Sequence, residues 1–329
     1  MNMSETRTFA PELRGELRLN EPMAKHVSWR AGGLAKRFFK PADVADLQAF
    51  LPTLPADEPV MFVGLGSNLL VRDAGFAGTV VLTTPTVHGL TLDASDATLV
   101  CAGAGVASPH VAKFAAKHGF GGAEWLAGVP GTIGGALAMN AGCYGTETWD
   151  QVFDCTTIDR AGVLRTRTAA DFEIGYRHVV QKVRIEESGV GNGNAPVSPH
   201  PSLLTPHQEE WFVAARFRFP PGDAAIAQAR IKELLAKRMA SQPLDKPNAG
   251  STFRNPPGDF AARLIESCDL KGHTIGGAQV SLKHANFIIN TGSATAADIE
   301  AMINHMQAAV KEKTGVELVR EVRIVGGTA

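Results

Sequence analysis

The sequence predicts an α+β protein divided into about two or three domains. Three observations carry this reading. The chain has 329 residues, more than one small core organises. Short apolar runs that read as strands are mixed with longer stretches of helical period. At Pro220-Pro221-Gly222-Asp223 the character changes, so residues 220–329 read as a separate α+β domain.

Taken in order, Asp43 to Leu51 reads as a short helix with Val44, Leu47 and Leu51 on one face and Pro52 as its stop. "PVMFVGLG" (Pro59–Gly66) and "GTVVLTT" (Gly78–Thr84) read as strands, giving a small β-α-β-β layout. "ASPHVAKFAAKHG" is a punctuated helix: Ser108 caps it, Pro109 takes the first turn, Val111, Phe114 and Ala115 face inward, and Gly119 ends it. Strands recur in "VFDCTTIDR", "VLRTRTA" and "EWFVAARFRF", the last alternating Phe212, Ala214, Phe217 and Phe219 imperfectly with polar partners. Between them, Glu186–Glu210 is rich in Gly, Asn, Pro and Ser and lacks either period, so it reads as an exposed insertion. After Pro220 comes a helix carrying Ile226, Ala229, Ile231, Leu234 and Leu235, then a loop, then a helix around Phe260, Leu264 and Ile265. Two strands follow, "GAQVS" and "ANFIINTG". A long helix opens with a box-like Thr295…Asp298 and shows a stripe of Ile299, Met302, Ile303, Met306 and Val310. "VELVREVRIVG" reads as the final strand.

Composition narrows the function. A net charge of −1 gives no electrostatic case for nucleic acid or an anionic membrane as partner. Cys101, Cys143, Cys155 and Cys268 form no CxxC pair, which argues against a zinc site and a disulfide framework; no metal is expected. The N-terminal stretch has no apolar signal core and no apolar run approaches membrane-spanning length, so a cytoplasmic protein is the expectation.

Two glycine-rich stretches carry candidate chemistry. In "GLGSNLLV", Gly64 and Gly66 let backbone amides turn toward an anion, and Ser67 and Asn68 add donors. Leu69 stands where a dinucleotide fingerprint has its third glycine, so alone the stretch is equally a tight turn. In "WLAGVPGTIGGALAMNAGCYG", Gly128, Gly131, Gly134, Gly135, Gly142 and Gly145 crowd a loop that opens into a small-residue helix. Such a helix start offers free amides to a diphosphate. Helix packing through small residues would account for this stretch but not for the loop upstream. Two such loops favour a dinucleotide.

Six stretches appear in a fixed order: "GLGSNLLVRDAGFAGTVV", "EWLAGVPGTIGGALAMNAGCYG", "GYRHV", "NAGSTFRNPPGDFAARLIE", "GGAQVSLKHANFIINTG" and "ELVREVRIVG". Together, from about Asn20 to about Gly326 and apart from the insertion, they resemble the UDP-N-acetylenolpyruvoylglucosamine reductase family. The resemblance implies a two-subdomain FAD-binding module of the vanillyl-alcohol-oxidase type, residues 1–85 and 86–219, and a C-terminal substrate-binding domain, residues 220–329. It implies non-covalent FAD, NADPH as hydride donor, and an enolpyruvyl sugar nucleotide as substrate. The charge gives no nucleic-acid or membrane partner, and the sequence does not set the oligomeric state, for which a monomer is the expectation. FAD contacts fall on Gly64, Gly66, Ser67, Asn68 and Leu69, on Gly128, Val129, Gly131, Thr132, Gly134, Gly135, Asn140 and Ala141, and on Arg323. Substrate contacts fall on Tyr176, Arg254, Asn255 and His284.

Hydride addition to a vinyl ether leaves negative charge on the α-carbon and its carboxylate. That charge needs a cation and a hydrogen-bonding acid, and the carbon then needs a proton. The family places these roles on residues that match Arg177, Ser251 and Glu321. Arg323, two residues on, would share a strand face with Glu321. Singly, each has a plainer role: a surface cation, a turn hydroxyl, and an exposed ion pair with Arg320 or Arg323.

The chain departs from the family in two ways. Its two tyrosines, Tyr144 and Tyr176, lie in other motifs, so it resembles the branch lacking a tyrosine that closes over substrate. His284 and Asn286 are candidates for that closing role by position. Arg320 replaces the proline common before the catalytic Glu. The rival reading is an FAD-dependent sugar or alcohol oxidase on the same fold; the first loop lacks the His through which such oxidases often tether flavin. A catalytically silent nucleotide-binding protein would have no use for Arg177, Ser251 and Glu321 together.

Overall fold

The computed structural model describes residues 13–83, 89–182 and 209–327. Most of the predicted insertion, residues 186–208, lies outside the described residues.

The first unit is a sheet that the helical and strand periods only half revealed. It contains β1 (Glu16–Pro22), β2 (Leu34–Lys40), α1 (Val44–Phe50), β3 (Val60–Val63), β4 (Leu69–Val71) and β5 (Phe76–Leu82). Strand order is β1-β2-β5-β3, antiparallel between β1 and β2 and parallel elsewhere. The expected β-α-β-β layout is therefore incomplete: β1 and β2 were missed because charges interrupt both. β1 is an edge strand that buries only Glu21, so it carries no hydrophobic alternation to read. α1 starts as expected, with Asp43 accepting from the Asp46 amide.

The second unit is built on an antiparallel sheet. β6 (Leu90–Leu92), β7 (Leu99–Gly103), α2 (Ser108–Lys117), α3 (Ile133–Met139), the short β8 (Gly142–Cys143) and β9 (Thr146–Glu147), β10 (Val152–Asp159), β11 (Leu164–Arg167), β12 (Phe172–Gly175), β13 (His178–Gln181) and β14 (Glu210–Arg218) follow in chain order. The sheet runs β11-β10-β14-β7-β6. One expectation is corrected here. Ser108 does not cap α2: Ala107 is the N-cap, and among the described residues the buried Ser108 hydroxyl has no partner. The imperfect alternation of β14 has a physical reason: a bulge opposite Thr156 and Thr157 breaks the period, so Val213 enters the first unit's core while Phe212, Ala215 and Phe217, with Phe219 beyond the strand, pack in the second unit's core. Phe212 packs there with Trp149 and Phe172.

The third unit contains α4 (Ala224–Ser241), α5 (Ala261–Ser267), β15 (Thr274–Ile275), β16 (Ala278–Val280), β17 (Ile288–Asn290), α6 (Ala296–Thr314) and β18 (Arg323–Val325). α6 follows its sequence pattern closely: the Thr295/Asp298 capping box forms, and Ile299, Met302, Ile303, Met306 and Val310 are fully buried. α4 does not. Ile226 is 72% exposed, and the inward residues are Ala227, Ile231 and Leu234. Ala227 and Ile231 enter the core of the second unit, while the third unit's own residues join its core only from Ala249 on. The break in packing thus follows α4 rather than preceding Pro220.

The units are stitched together by contacts distant in sequence. β18 leaves the third unit and pairs in parallel with β4, so "VELVREVRIVG" is not the single strand expected. Arg72 makes a bidentate pair with Glu300 at 2.8 and 2.9 Å. The neighbouring Asp73 accepts from the Ala296 and Ala297 amides at 3.0 and 2.8 Å, a cap on α6 supplied by another unit. Asp73→Ala is expected to cost about 0.5–2 kcal/mol, the range for losing a helix cap. Urea unfolding of the variant beside wild type measures it; an unchanged midpoint would show the cap contributes nothing.

Candidate active site

The two glycine-rich loops meet. A Cβ on Gly64 would lie 2.2 Å from Thr132 Oγ1, and one on Gly131 would lie 2.7 Å from Ser67 Oγ. Each loop's glycine thus receives the other loop's hydroxyl. Gly66 adopts φ +59°, and a Cβ there would lie 2.3 Å from the His26 carbonyl oxygen. Only glycine tolerates that pairing of dihedral and contact. Among the described residues, the amides of Gly66, Ser67 and Asn68 donate to no protein group. The Gly134-Gly135 pair divides its work: a Cβ on Gly134 would press on Ala104 at 2.9 Å, whereas one on Gly135 would meet open space. Free amides beside a crowded, glycine-lined junction fit a diphosphate-bearing group such as FAD.

The expectation that the start of α3 offers its amides is corrected for two of them. Ile133 N donates to Val106 O and Gly134 N to Ala104 O, at 2.9 and 2.8 Å. Those donors hold α3 against the segment after β7, while among the described residues Gly135 N donates to no protein group.

Asn140 is also placed differently from expectation. It ends α3 in the left-handed conformation, φ +41°, and is 2% exposed. Its side-chain amide donates to Glu147 Oε2 at 2.7 Å and Gly175 O at 3.3 Å, and its Oδ1 accepts from Trp149 N. Its carbonyl accepts from Arg177. With these groups engaged inside the protein, Asn140 supports Arg177 rather than reaching a cofactor. Asn before "AG" at the end of a helix pattern was the legible signal, since Asn tolerates the left-handed C-terminal position. Glu147, a lone acid in a short hairpin, gave none.

Arg177, Glu321 and the loop of Ser251 come together. Arg177 Nε donates to Glu321 Oε1 at 2.8 Å, and its two other nitrogens donate to the carbonyls of Asn140 and Gly142. The guanidinium lies 5.0 Å from the centre of the Tyr176 ring. Arg177 itself has φ +55°, an uncommon conformation for a residue with a side chain. Glu321 N donates to Thr252 O at 2.8 Å, next to Ser251, and Arg254 donates to Arg177 O at 3.0 Å. Asn68 of the first glycine-rich loop donates to Glu321 O, and Arg323 N donates to Asn68 O. Five segments far apart in sequence therefore share one junction. Gly250, φ +74°, makes the turn into Ser251, and a Cβ there would meet nothing.

Glu321 itself lies before β18 rather than inside it. Arg323 opens that strand, and its side chain reaches solvent although much protein surrounds it. Desolvation, and then the neighbouring Arg254, hold its pKa below the ordinary guanidinium value. Two cations facing one space make an anion-attracting region. Asn255 is corrected: its Oδ1 accepts from Ala261 N at 3.1 Å and so secures the start of α5. His284 Nδ1 accepts from Asn286 N, and burial lowers its pKa, so the ring is neutral with its proton on Nε2. Burial pushes the Cys143 thiol up to about 11 and the Cys155 thiol to about 12, which leaves both protonated near neutrality.

Comparison with known proteins agrees with the geometry. Residues 35–167 match the model of an FAD binding domain, and residues 242–325 match the model described as UDP-N-acetylenolpyruvoylglucosamine reductase, C-terminal domain. The UDP-N-acetylenolpyruvoylglucosamine reductase of Nitrosospira multiformis is 56% identical over 318 residues, covering 96% of this chain and 90% of the relative. That of Thiobacillus denitrificans is 53% identical over 328 residues, covering 96% and 94%. The chain belongs to the UDP-N-acetylenolpyruvoylglucosamine reductase family. The crystal structure of the family member from Thermus caldophilus superposes with a TM-score of 0.71 at 27% identity, covering 94% of this chain and 98% of that one. The first family match ends before Arg177 and the second begins before Ser251, so the junction joins residues of both matches to a segment outside either. Among the described residues, no helix is long and apolar enough to cross a membrane, and no group of His, Cys, Asp and Glu is placed to hold a metal.

Proposed function

We propose that the protein reduces UDP-N-acetylenolpyruvoylglucosamine to UDP-N-acetylmuramate with NADPH, in peptidoglycan precursor synthesis. The observation that carries this reading is the convergence of Arg177, Glu321 and the Ser251 turn beside the first glycine-rich loop. The loops about Gly64–Leu69 and Gly128–Gly135 would hold the cofactor. Bound FAD would accept a hydride from NADPH and supply one to the vinyl carbon.

The chain's residues handle the charge and the proton. As the vinyl carbon gains hydride, negative charge develops on the α-carbon and its carboxylate. Arg177, fixed by Glu321 and two carbonyls, presents a cation that needs no reorganisation. Ser251 gives its hydroxyl proton to the α-carbon and regains one from solvent. Substrate, NADPH and one proton thereby become product and NADP⁺. Arg254 and Arg323 attract the anionic sugar nucleotide, and Tyr176, whose ring lies beside the Arg177 guanidinium, and His284 would contact it.

The purified protein is expected to be yellow and to release intact FAD on acid denaturation. A protein that stays colourless after incubation with FAD, or releases FMN, contradicts the reading. Under anaerobic conditions NADPH should bleach the bound flavin and the enolpyruvyl substrate should restore its colour. Recolouring by oxygen alone, with none by the substrate, would favour the oxidase reading.

A further inference from the structure

We infer that Asn286 is a positioning residue for Ser251, holding the proton donor's strip from behind; this rests on the role proposed for Ser251. Asn286 was a candidate for closing over substrate. The structure gives its side chain other work: it is 3% exposed, Oδ1 accepts from Phe253 N at 3.0 Å, and Nδ2 donates to Phe253 O at 2.8 Å. Its carbonyl also accepts from Thr252 N at 2.8 Å.

The strip Thr252–Arg254, bent at Thr252 and bridged at Phe253, is wedged between two neighbours. On one side Glu321 N donates to Thr252 O, Arg254 N donates to Val319 O, and Phe253 bridges Arg320. In that antiparallel pattern the amide and carbonyl of Phe253 turn to the opposite side, where among the described residues no neighbouring strand pairs with them. Buried main-chain groups need partners. A side-chain amide carries one acceptor and one donor in a peptide-like arrangement, so Asn286 stands in for the missing strand. Neither leucine nor aspartate could supply both groups. The Phe253 side chain is fully buried in the third core, which seats the strip a third way. Ser251 and Arg254 flank this clamped dipeptide; Arg254 donates to Arg177 O, and Glu321 N donates to Thr252 O, the residue after Ser251. Loss of the clamp frees the strip on its Asn286 side and lets the Ser251 hydroxyl wander. Misplacement of a reacting group by about 1 Å is enough to cost on the order of 10²-fold in rate.

The test is a double-mutant cycle on the FAD-loaded enzyme, read in both half-reactions. Asn286→Ala is expected to slow reoxidation by the enolpyruvyl substrate by roughly 10–10²-fold while NADPH reduction stays within a small factor. In the Ser251→Ala background the same change should add little, because a donor already absent has no position to lose. Amide exchange across residues 250–256, measured without substrate or NADPH, should quicken in Asn286→Ala while exchange in α6 is unchanged. If Asn286→Ala does not fold, Asn286→Asp, which keeps the acceptor for Phe253 N, is read in the same cycle. Equal losses in both half-reactions, losses that multiply with Ser251→Ala, or unaltered exchange in the strip would each overturn the inference. Should Ser251→Ala alone leave reoxidation intact, the assignment of the acid fails, and the inference with it. A loss in Ser251→Ala without one in Asn286→Ala overturns the inference alone.

Discussion

Ser251→Ala is expected to slow reoxidation of the reduced flavin by the enolpyruvyl substrate by about 10²–10⁴-fold, the usual worth of a positioned general acid. That corresponds to roughly 2.7–5.4 kcal/mol of barrier. Reduction by NADPH involves no proton from Ser251 and should survive within a small factor. Substrate affinity should change much less, because the hydroxyl acts on charge that develops only as the reaction proceeds. Ser251 follows Gly250, whose φ of +74° makes the turn, and precedes a peptide held by Asn286 and Glu321. A serine needed only for that turn would, on removal, lower both half-reactions together with thermal stability. Paired anaerobic stopped-flow traces of flavin colour decide the matter. Equal losses in the two halves, or none in the second, remove Ser251 from the mechanism.

Trp29→Ala should be among the most destabilising single changes in the chain, at about 3–5 kcal/mol. Trp29 lies in the N-terminal segment but is fully buried in the third unit's core, among residues 249–322. Its indole N–H donates to Ile288 O at 2.8 Å, and its carbonyl accepts from Asn290 Nδ2 at 2.8 Å. Removal therefore opens a cavity and unfastens the third unit from the first. Trp29→Phe, which keeps most of the ring, should cost clearly less. Urea unfolding followed by far-UV circular dichroism measures both. A midpoint for Trp29→Ala within error of wild type would mean the unit interface relies on other contacts.

Some elements could be read because their signals are local. The stripe and capping box of α6 need only a helical period and a Thr followed three residues on by an acid, and both form as written. The glycines of the two loops were legible because strained or crowded backbone demands them, and Gly64, Gly66 and Gly131 are each pressed by a partner. The order of the six motifs placed the chain in its family without any coordinates.

What the tertiary structure decided are pairings between distant groups. β1 and β2 escaped notice because charges interrupt both and leave no alternation to show. The bulge in β14, which sends Val213 into the first unit's core and leaves Phe212 in the second's, has no local signal, since it is set by the pairing with β10. Asn140, Asn255 and Asn286 each read as polar and near a motif, but their amides satisfy the buried or helix-starting main chain of other residues. One amide makes the same hydrogen bonds to a ligand as to a peptide, so its sequence neighbours cannot say which it meets. The Arg177–Glu321 pair spans 144 residues, and only the folded chain brings its two members within 2.8 Å.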